Sequence, residues 1–127
     1  MGKQLTLLVG VWLPLVGAIV CPVFAESSDD KFFAEKILPA LKKHCYECHS
    51  SKAKKVESGL KLDTRAGVLR GGEMGPVIVP GKPEESPLLS ALRYEKLEMP
   101  PSAKLPSEIA DDFEEWIRRG APDPRDE

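Results

Sequence analysis

Two cysteines and a histidine stand close together in the segment Cys45-Tyr46-Glu47-Cys48-His49. Thiols at this spacing lie on one side of a single turn, so both can add to the vinyl groups of one haem as thioethers. The imidazole of His49, directly after the second thiol, then points its ring toward the iron. The spacing therefore predicts the attachment site of a c-type haem.

Two other uses of paired cysteines compete with haem attachment. A thioredoxin-like redox pair requires a βαβ context, and no strong strand pattern surrounds the motif. A structural zinc ion requires four ligands, and besides the motif residues the chain offers only His44 next door and Cys21 far upstream. Adjacent residues make a poor closed tetrahedron, so haem attachment is the favoured interpretation.

The first 25 residues have the pattern of a secretory signal peptide. Lys3 precedes an uncharged, largely apolar run that ends in Val23-Phe24-Ala25, and acidic Glu26 follows. We therefore expect residues 1–25 to be a signal peptide and residues 26–127 to be the functional domain, exported to the periplasm. The run is also long enough to span a bilayer, so residues 4–25 could instead anchor the protein on the non-cytoplasmic side of a membrane.

Composition agrees with one small exported domain. Cleavage would remove Cys21 and leave only the two motif thiols in an oxidising compartment. A lipid anchor on Cys21 is disfavoured because bulky Val20 precedes it. With 127 residues and few large aromatic side chains, the chain has a thin core that a buried haem would complete. The net charge of −2 argues against nucleic-acid binding, because phosphate contacts require a basic surface.

A helix is predicted immediately before the motif. Apolar residues recur every four positions over 33–41, and residues 28–30 can cap the start of this helix. Pro39 is expected to kink the helix or divide it, because it has no amide donor. The helix leads the chain directly into Cys45.

Three further helices are predicted after the motif. A short helix over 64–70 follows Asp63, whose carboxylate can cap it. Another begins at Ser86-Pro87, with the serine hydroxyl as cap and proline at the first helical position. The last runs from 106 or 107 to 119 and has a regular apolar face. No strand pattern is long enough to compete, so the predicted fold class is all-α.

These features resemble a class I cytochrome c, and more closely a planctomycete-type cytochrome c domain. Besides the motif, the resemblance is carried chiefly by Gly59-Leu60-Lys61-Leu62-Asp63-Thr64-Arg65, Ile78-Val79-Pro80-Gly81-Lys82-Pro83 and Met99-Pro100-Pro101. It implies a small helical domain wrapped around one covalently bound haem c. It further implies that Cys45 and Cys48 are the thioether anchors, that His49 is the proximal iron ligand and that Met99 is the distal ligand.

Two methionines compete for the distal position. Met99 is stiffened by Pro100-Pro101, which restrict it to an extended conformation, and enough chain separates it from His49 to pass around the haem. Met74 lies in a glycine-rich stretch, where ordering a flexible chain costs entropy. We therefore predict Met99 as the distal ligand and keep Met74 as the alternative. Filling a gap in the core is the other common use of either side chain.

The resemblance implies an electron carrier rather than an enzyme. A thioether ligand favours the ferrous state and closes the sixth position of the iron against oxygen and peroxide. Because the chain ends soon after its last predicted helix, we expect redox partner proteins to act in trans. Two alternatives stay open. One is a haem-bearing interaction or sensor module of a larger assembly. The other is a peroxidase-like enzyme, for which only His44 is spare as an acid–base residue.

Overall fold

The computed structural model describes residues 1–2 and 27–125, and the regular elements in these ranges are helical. Within them there is no β-strand, only an isolated bridge between Gly72 and Gly75. The all-α prediction is therefore confirmed. The helices are α1 (Ser28–Phe32), a π-helical turn (Phe33–Ile37), α2 (Leu38–His44), α3 (Arg65–Arg70), α4 (Pro87–Leu92) and α5 (Ser107–Arg118), and the 3-10 turns are Glu57–Gly59 and Pro83–Glu85.

The predicted signal peptide lies almost entirely outside the described residues, and so does Cys21. Among the helices that the structure does describe, none is long and apolar enough to cross a bilayer. Cleavage after Ala25 and anchoring through residues 4–25 both stay predictions.

The helical path into the motif is continuous but changes its winding. Its cap is Ser27, one residue before the predicted position: the Ser27 hydroxyl accepts from the Asp30 amide at 3.0 Å, and the Asp30 carboxylate accepts from the Ser27 amide. In the π-helical turn the amide of Leu38 bonds to the carbonyl of Phe33, five residues back. This wider turn directly precedes Pro39, which cannot donate a helical hydrogen bond. Pro39 therefore changes the winding of the helix without ending it.

The apolar faces of the first helical path and of α5 meet in one core. Trp116 lies at its centre, with ring centroids 5.9 Å from both Phe33 and Phe113. The indole N–H of Trp116 is satisfied by the carbonyl of Pro122 at 2.8 Å. Both predicted apolar stripes are therefore buried. The most enclosed side chains are Phe33, Ile37, Leu41, Leu62, Val68, Phe113, Trp116 and Ile117.

The predicted cap of α3 is wrong by one residue. The hydroxyl of Thr64 caps the helix by accepting from the amide of Gly67 at 3.0 Å. The carboxylate of Asp63 accepts instead from the amide of Ser51 at 2.8 Å. Asp63 therefore fastens the loop that follows the motif, and the helix start is left to the next side chain.

The predicted cap of α4 is also wrong, although Pro87 does occupy the first helical position. The hydroxyl of Ser86 accepts from the amide of Val79 at 2.9 Å and donates to the carbonyl of Lys82 at 2.8 Å. Ser86 is buried at this point. Its hydroxyl therefore closes the turn before α4 rather than the first turn of the helix.

Gly71 and Gly81 both have a positive φ, +78° and +81°, but differ in how crowded the space beside their Cα atoms is. A Cβ at Gly71 would lie 2.1 Å from the carbonyl oxygen of Gly75, whereas nothing lies within 4 Å of a Cβ at Gly81. We expect Gly81→Ala to lower the free energy of unfolding by about 1 kcal/mol through left-handed strain alone. Gly71→Ala should cost at least about 2 kcal/mol more, since the backbone must move. Urea denaturation measures both losses, and equal losses would contradict the steric account.

Candidate haem-attachment site

The motif folds into a tight turn directly after α2. The amides of Cys48 and His49 both bond to the carbonyl oxygen of Cys45, at 3.2 and 2.9 Å. The single turn that the spacing predicts is therefore present, and it carries both thiols and the imidazole.

The two thiols of the turn are free but have different surroundings. Cys48 is exposed, whereas Cys45 is half-buried and packs against the apolar core. This burial raises the pKa of the Cys45 thiol to about 11. Because the thiolate is the nucleophile, Cys45 is the less reactive thiol in this conformation.

The two ring nitrogens of His49 are not equivalent. Nδ1 is buried, and no hydrogen-bond partner reaches it among residues 27–125. The carbonyl that we would expect to orient the ring through this nitrogen is thus not found in that part of the chain. Because Nδ1 is enclosed, Nε2 is the nitrogen left for a metal. One imidazole nitrogen and two thiols on one turn fit the donor set of a c-type haem.

The segment 57–62 supports the turn from outside. The amide of Leu62 donates to the carbonyl of His49 at 2.8 Å, and the amide of Glu57 donates to the carbonyl of Cys48 at 3.0 Å. The backbone of the last two motif residues is therefore fixed by a segment that follows the loop containing Lys52, Lys54 and Lys55. No sequence pattern indicated this contact between the segment and the motif.

Arg125 also reaches the turn, and no sequence pattern indicated that it would. Its guanidinium donates to the hydroxyl of Tyr46, inside the motif, at 2.7 Å and to the carbonyl of Leu62 at 2.8 Å. It is paired with the carboxylate of Asp123. Tyr46 and Arg125 are 79 positions apart, far beyond the reach of helical or strand periodicity.

The two methionine candidates occupy contrasting places. Met74 lies at the tip of a glycine-bridged turn and is 96% exposed. Met99 is half-buried, and its amide donates to the carbonyl of Ala91 in α4 at 3.2 Å. The hydroxyl of Tyr94 donates to the carbonyl of Pro100, which closes the same loop. Met99 thus has the ordered backbone that a ligand needs, and both ligand roles stay predictions.

The described residues lack the features that the two alternatives to haem attachment, a thioredoxin-like pair and a structural zinc site, require. A thioredoxin-like pair requires a βαβ unit, and the described residues are helical. Over residues 27–125, no three His, Cys, Asp or Glu side chains are grouped so that they could hold a metal ion by themselves.

A helical domain with a Cys-x-x-Cys-His turn is of the cytochrome c class. Residues 45–103 match the family model of Planctomycete cytochrome C, and this range includes both thiols, His49, Met74 and Met99. The chain therefore contains a planctomycete-type cytochrome c domain, as the resemblance implied. Neither the curated proteins nor the solved structures include a match to it. Cytochrome c domains bind haem covalently, which supports the predicted class of cofactor.

The unequal surroundings of the thiols predict unequal alkylation in protein produced without haem. Iodoacetamide should modify exposed Cys48 before Cys45, because burial keeps Cys45 protonated until the pH approaches about 11. The rate of Cys45 labelling should therefore keep rising as the pH is raised from neutral to about 11. Timed labelling followed by peptide mass spectrometry measures both rates, and urea-unfolded protein, in which the thiols should react alike, is the control. Equal rates in the folded protein would show that Cys45 is not shielded.

Proposed function

We propose that this protein is a single-haem electron carrier. It binds one haem c covalently through Cys45 and Cys48, and His49 is the proximal ligand of an iron that cycles between Fe(II) and Fe(III). The observation that carries the proposal is the turn closed on the carbonyl of Cys45, which joins two free thiols to an imidazole within the range matched by the family.

Each side chain of the site has a distinct task in this proposal. The haem supplies the one-electron couple when it is bound. Cys45 and Cys48 fix its position covalently, and His49 offers Nε2 to one side of the iron because its other nitrogen is enclosed. Met99 offers a soft thioether to the other side, which favours the ferrous state and raises the reduction potential. With His49 and Met99 both holding the iron, the protein would leave no coordination position for oxygen or peroxide.

We further propose that electrons pass to and from partner proteins in trans at the basic side of the motif. The lysines near it are exposed in a chain whose net charge is −2. A local excess of positive charge steers a partner with an acidic surface and orients it before contact. The side chains concerned are Lys42, Lys43, Lys52 and Lys54, whereas Lys55 is paired with Glu57.

Export is part of the same proposal. Residues 1–25 direct the chain out of the cytoplasm and into the periplasm. The haem is attached there, after export. If the leader is retained, residues 4–25 hold the carrier at the membrane surface on the same side. The sequence pattern of the leader supports both forms.

An enzymatic use of the haem is the weaker alternative. A peroxidase-like reaction needs an open sixth position and an acid–base residue on that side. His44 is the last residue of α2 and is bonded directly to Cys45, so it lies beside the attachment turn. A sensor or interaction module would use the same attachment site, and it differs from a carrier in whether the sixth position accepts an external ligand.

Covalent attachment is tested by removing the thiols. The variant Cys45→Ala, Cys48→Ala should release its haem into acid–acetone, because only coordination then holds it, whereas the unaltered protein should stay red. Each single variant should keep the pigment through the remaining thioether. Absorbance of the protein pellet after extraction measures retention. A red pellet from the double variant would overturn the proposed anchors.

The distal ligand is tested by comparing Met99→Ala with Met74→Ala. Loss of Met99 should abolish the weak sulfur-to-iron charge-transfer band of the ferric protein, lower the reduction potential and let carbon monoxide bind the ferrous iron. Met74→Ala should change none of these, since that side chain is exposed to solvent. Visible spectra with and without carbon monoxide, together with a redox titration, decide between them. The reverse pattern would transfer the role to Met74, and carbon monoxide binding to the unaltered protein would favour a sensor or an enzyme.

A further inference from the structure

Near its C-terminal end the chain turns back onto the attachment turn through a buried ion pair. The Nε of Arg125 donates to both carboxylate oxygens of Asp123, at 2.8 and 3.1 Å. The side chain of Asp123 is only 2% exposed and that of Arg125 only 15%. A charge buried to this degree is tolerated only with a partner, so the two residues act as one unit.

The guanidinium uses its remaining donors on the haem-attachment region. Its Nη1 donates to the hydroxyl of Tyr46 and to the carbonyl of Leu62, and its Cζ lies 5.0 Å from the centroid of the Phe33 ring. A guanidinium carries five N–H donors in a planar fork, so it can meet a carboxylate, a hydroxyl and a carbonyl at once. We call Arg125, Asp123 and Tyr46 the C-terminal clamp.

Both contacts of the clamp continue into the turn. Tyr46 stands between the two thiols, and its own carbonyl accepts from the buried hydroxyl of Ser50 at 2.7 Å. Leu62 accepts from Arg125 on one side, and its amide donates to the carbonyl of His49 on the other. Arg125 therefore contacts the start of the turn directly, through the side chain of Tyr46. It is connected to the end of the turn, at His49, through Leu62.

We propose that Arg125 is a positioning residue for the haem. Paired with Asp123, it holds the attachment turn so that His49 meets the iron in one fixed orientation, and by this it helps to set the reduction potential. The inference rests on the proposed function as a haem carrier. It adds Asp123 and Arg125, which lie outside the 45–103 range matched by the family, to Tyr46, which lies inside it.

The decisive experiment measures the reduction potential of the haem-loaded protein in variants of the clamp. Arg125→Gln should shift the potential, because it removes the contacts to Tyr46 and to Leu62 together. Tyr46→Phe should shift it in the same direction by a smaller amount, since the ion pair with Asp123 survives. Arg125→Lys should not restore the original value, because an ammonium cannot reproduce the fork. Combining Arg125→Gln with Tyr46→Phe should add little to Arg125→Gln alone.

Two controls separate positioning from general stability. Arg118→Gln removes an exposed arginine whose partners are Glu114 and Glu115, so the potential should stay at its original value. Gly81→Ala should lower stability without touching the clamp, and its potential should also stay unchanged. If Arg125→Gln lowers the melting temperature but leaves the potential where it was, Arg125 is only structural and the proposal is overturned. No change in either quantity would overturn it as well.

Amide hydrogen exchange distinguishes failure of this inference from failure of the proposed function. In the unaltered protein the amide of Leu62 is protected by the carbonyl of His49. Arg125→Gln should speed its exchange by about tenfold or more, and Arg118→Gln should not. This readout is taken on the purified protein and does not depend on whether its haem is held covalently. If the pigment proves non-covalent while exchange still responds, the carrier proposal fails and the clamp stands. If exchange does not respond, the clamp itself is wrong.

Discussion

The carbonyl oxygen of Cys45 accepts hydrogen bonds from the amides of both Cys48 and His49, and these two bonds close the attachment turn. The proposed site depends on this closure. The two bonds place three reactive side chains on one turn, at the end of a helix that delivers the chain to this point. Without the closure the thiols and the imidazole would be separate groups on a loop. The supporting bonds from segment 57–62 then fix the turn relative to the rest of the domain.

The turn has a rigid foundation because the first helical path and α5 share one core. Trp116 packs against aromatic rings from both elements, and its indole N–H is satisfied by the chain that follows α5. Just beyond that point Asp123 pairs with Arg125, and the guanidinium of Arg125 donates to Tyr46 and Leu62. Packing of the terminal helix and support of the attachment turn are therefore mechanically linked. A substitution that changes the packing of Trp116 would therefore also disturb the contacts of Arg125 with the attachment turn.

Much of this arrangement follows from local sequence patterns. The apolar periodicity of the first helix and of α5 is visible in the sequence, so both helices were predicted. The spacing of the two thiols and the imidazole was likewise enough to predict a haem-attachment turn. The caps failed for a different reason. Asp63 and Thr64 are neighbours that can each cap a helix, and the choice between them depends on Ser51, which occupies the carboxylate. The prediction that Ser86 caps α4 was wrong for the same kind of reason, because its hydroxyl is hydrogen-bonded to Val79 and Lys82 in the preceding turn.

The clamp was beyond prediction because no local rule joins residues so far apart. Arg125 follows Pro122 and Pro124 beyond α5, where no helical or strand pattern continues, and its partners are identified only when the folded chain brings them together. The enclosed Nδ1 of His49 is a similar case, since burial of a single atom depends on packing from several segments. Long-range polar contacts of this kind need the three-dimensional structure.

The central claim, one haem held covalently by this chain, is tested most directly by the intact mass of the purified, exported protein under denaturing conditions. The account predicts the mass of the polypeptide plus one haem. The same species should lose the added mass only when both motif thiols are replaced. The mass of the bare polypeptide from a protein that is red before denaturation would contradict it, because such a haem would be held by coordination alone.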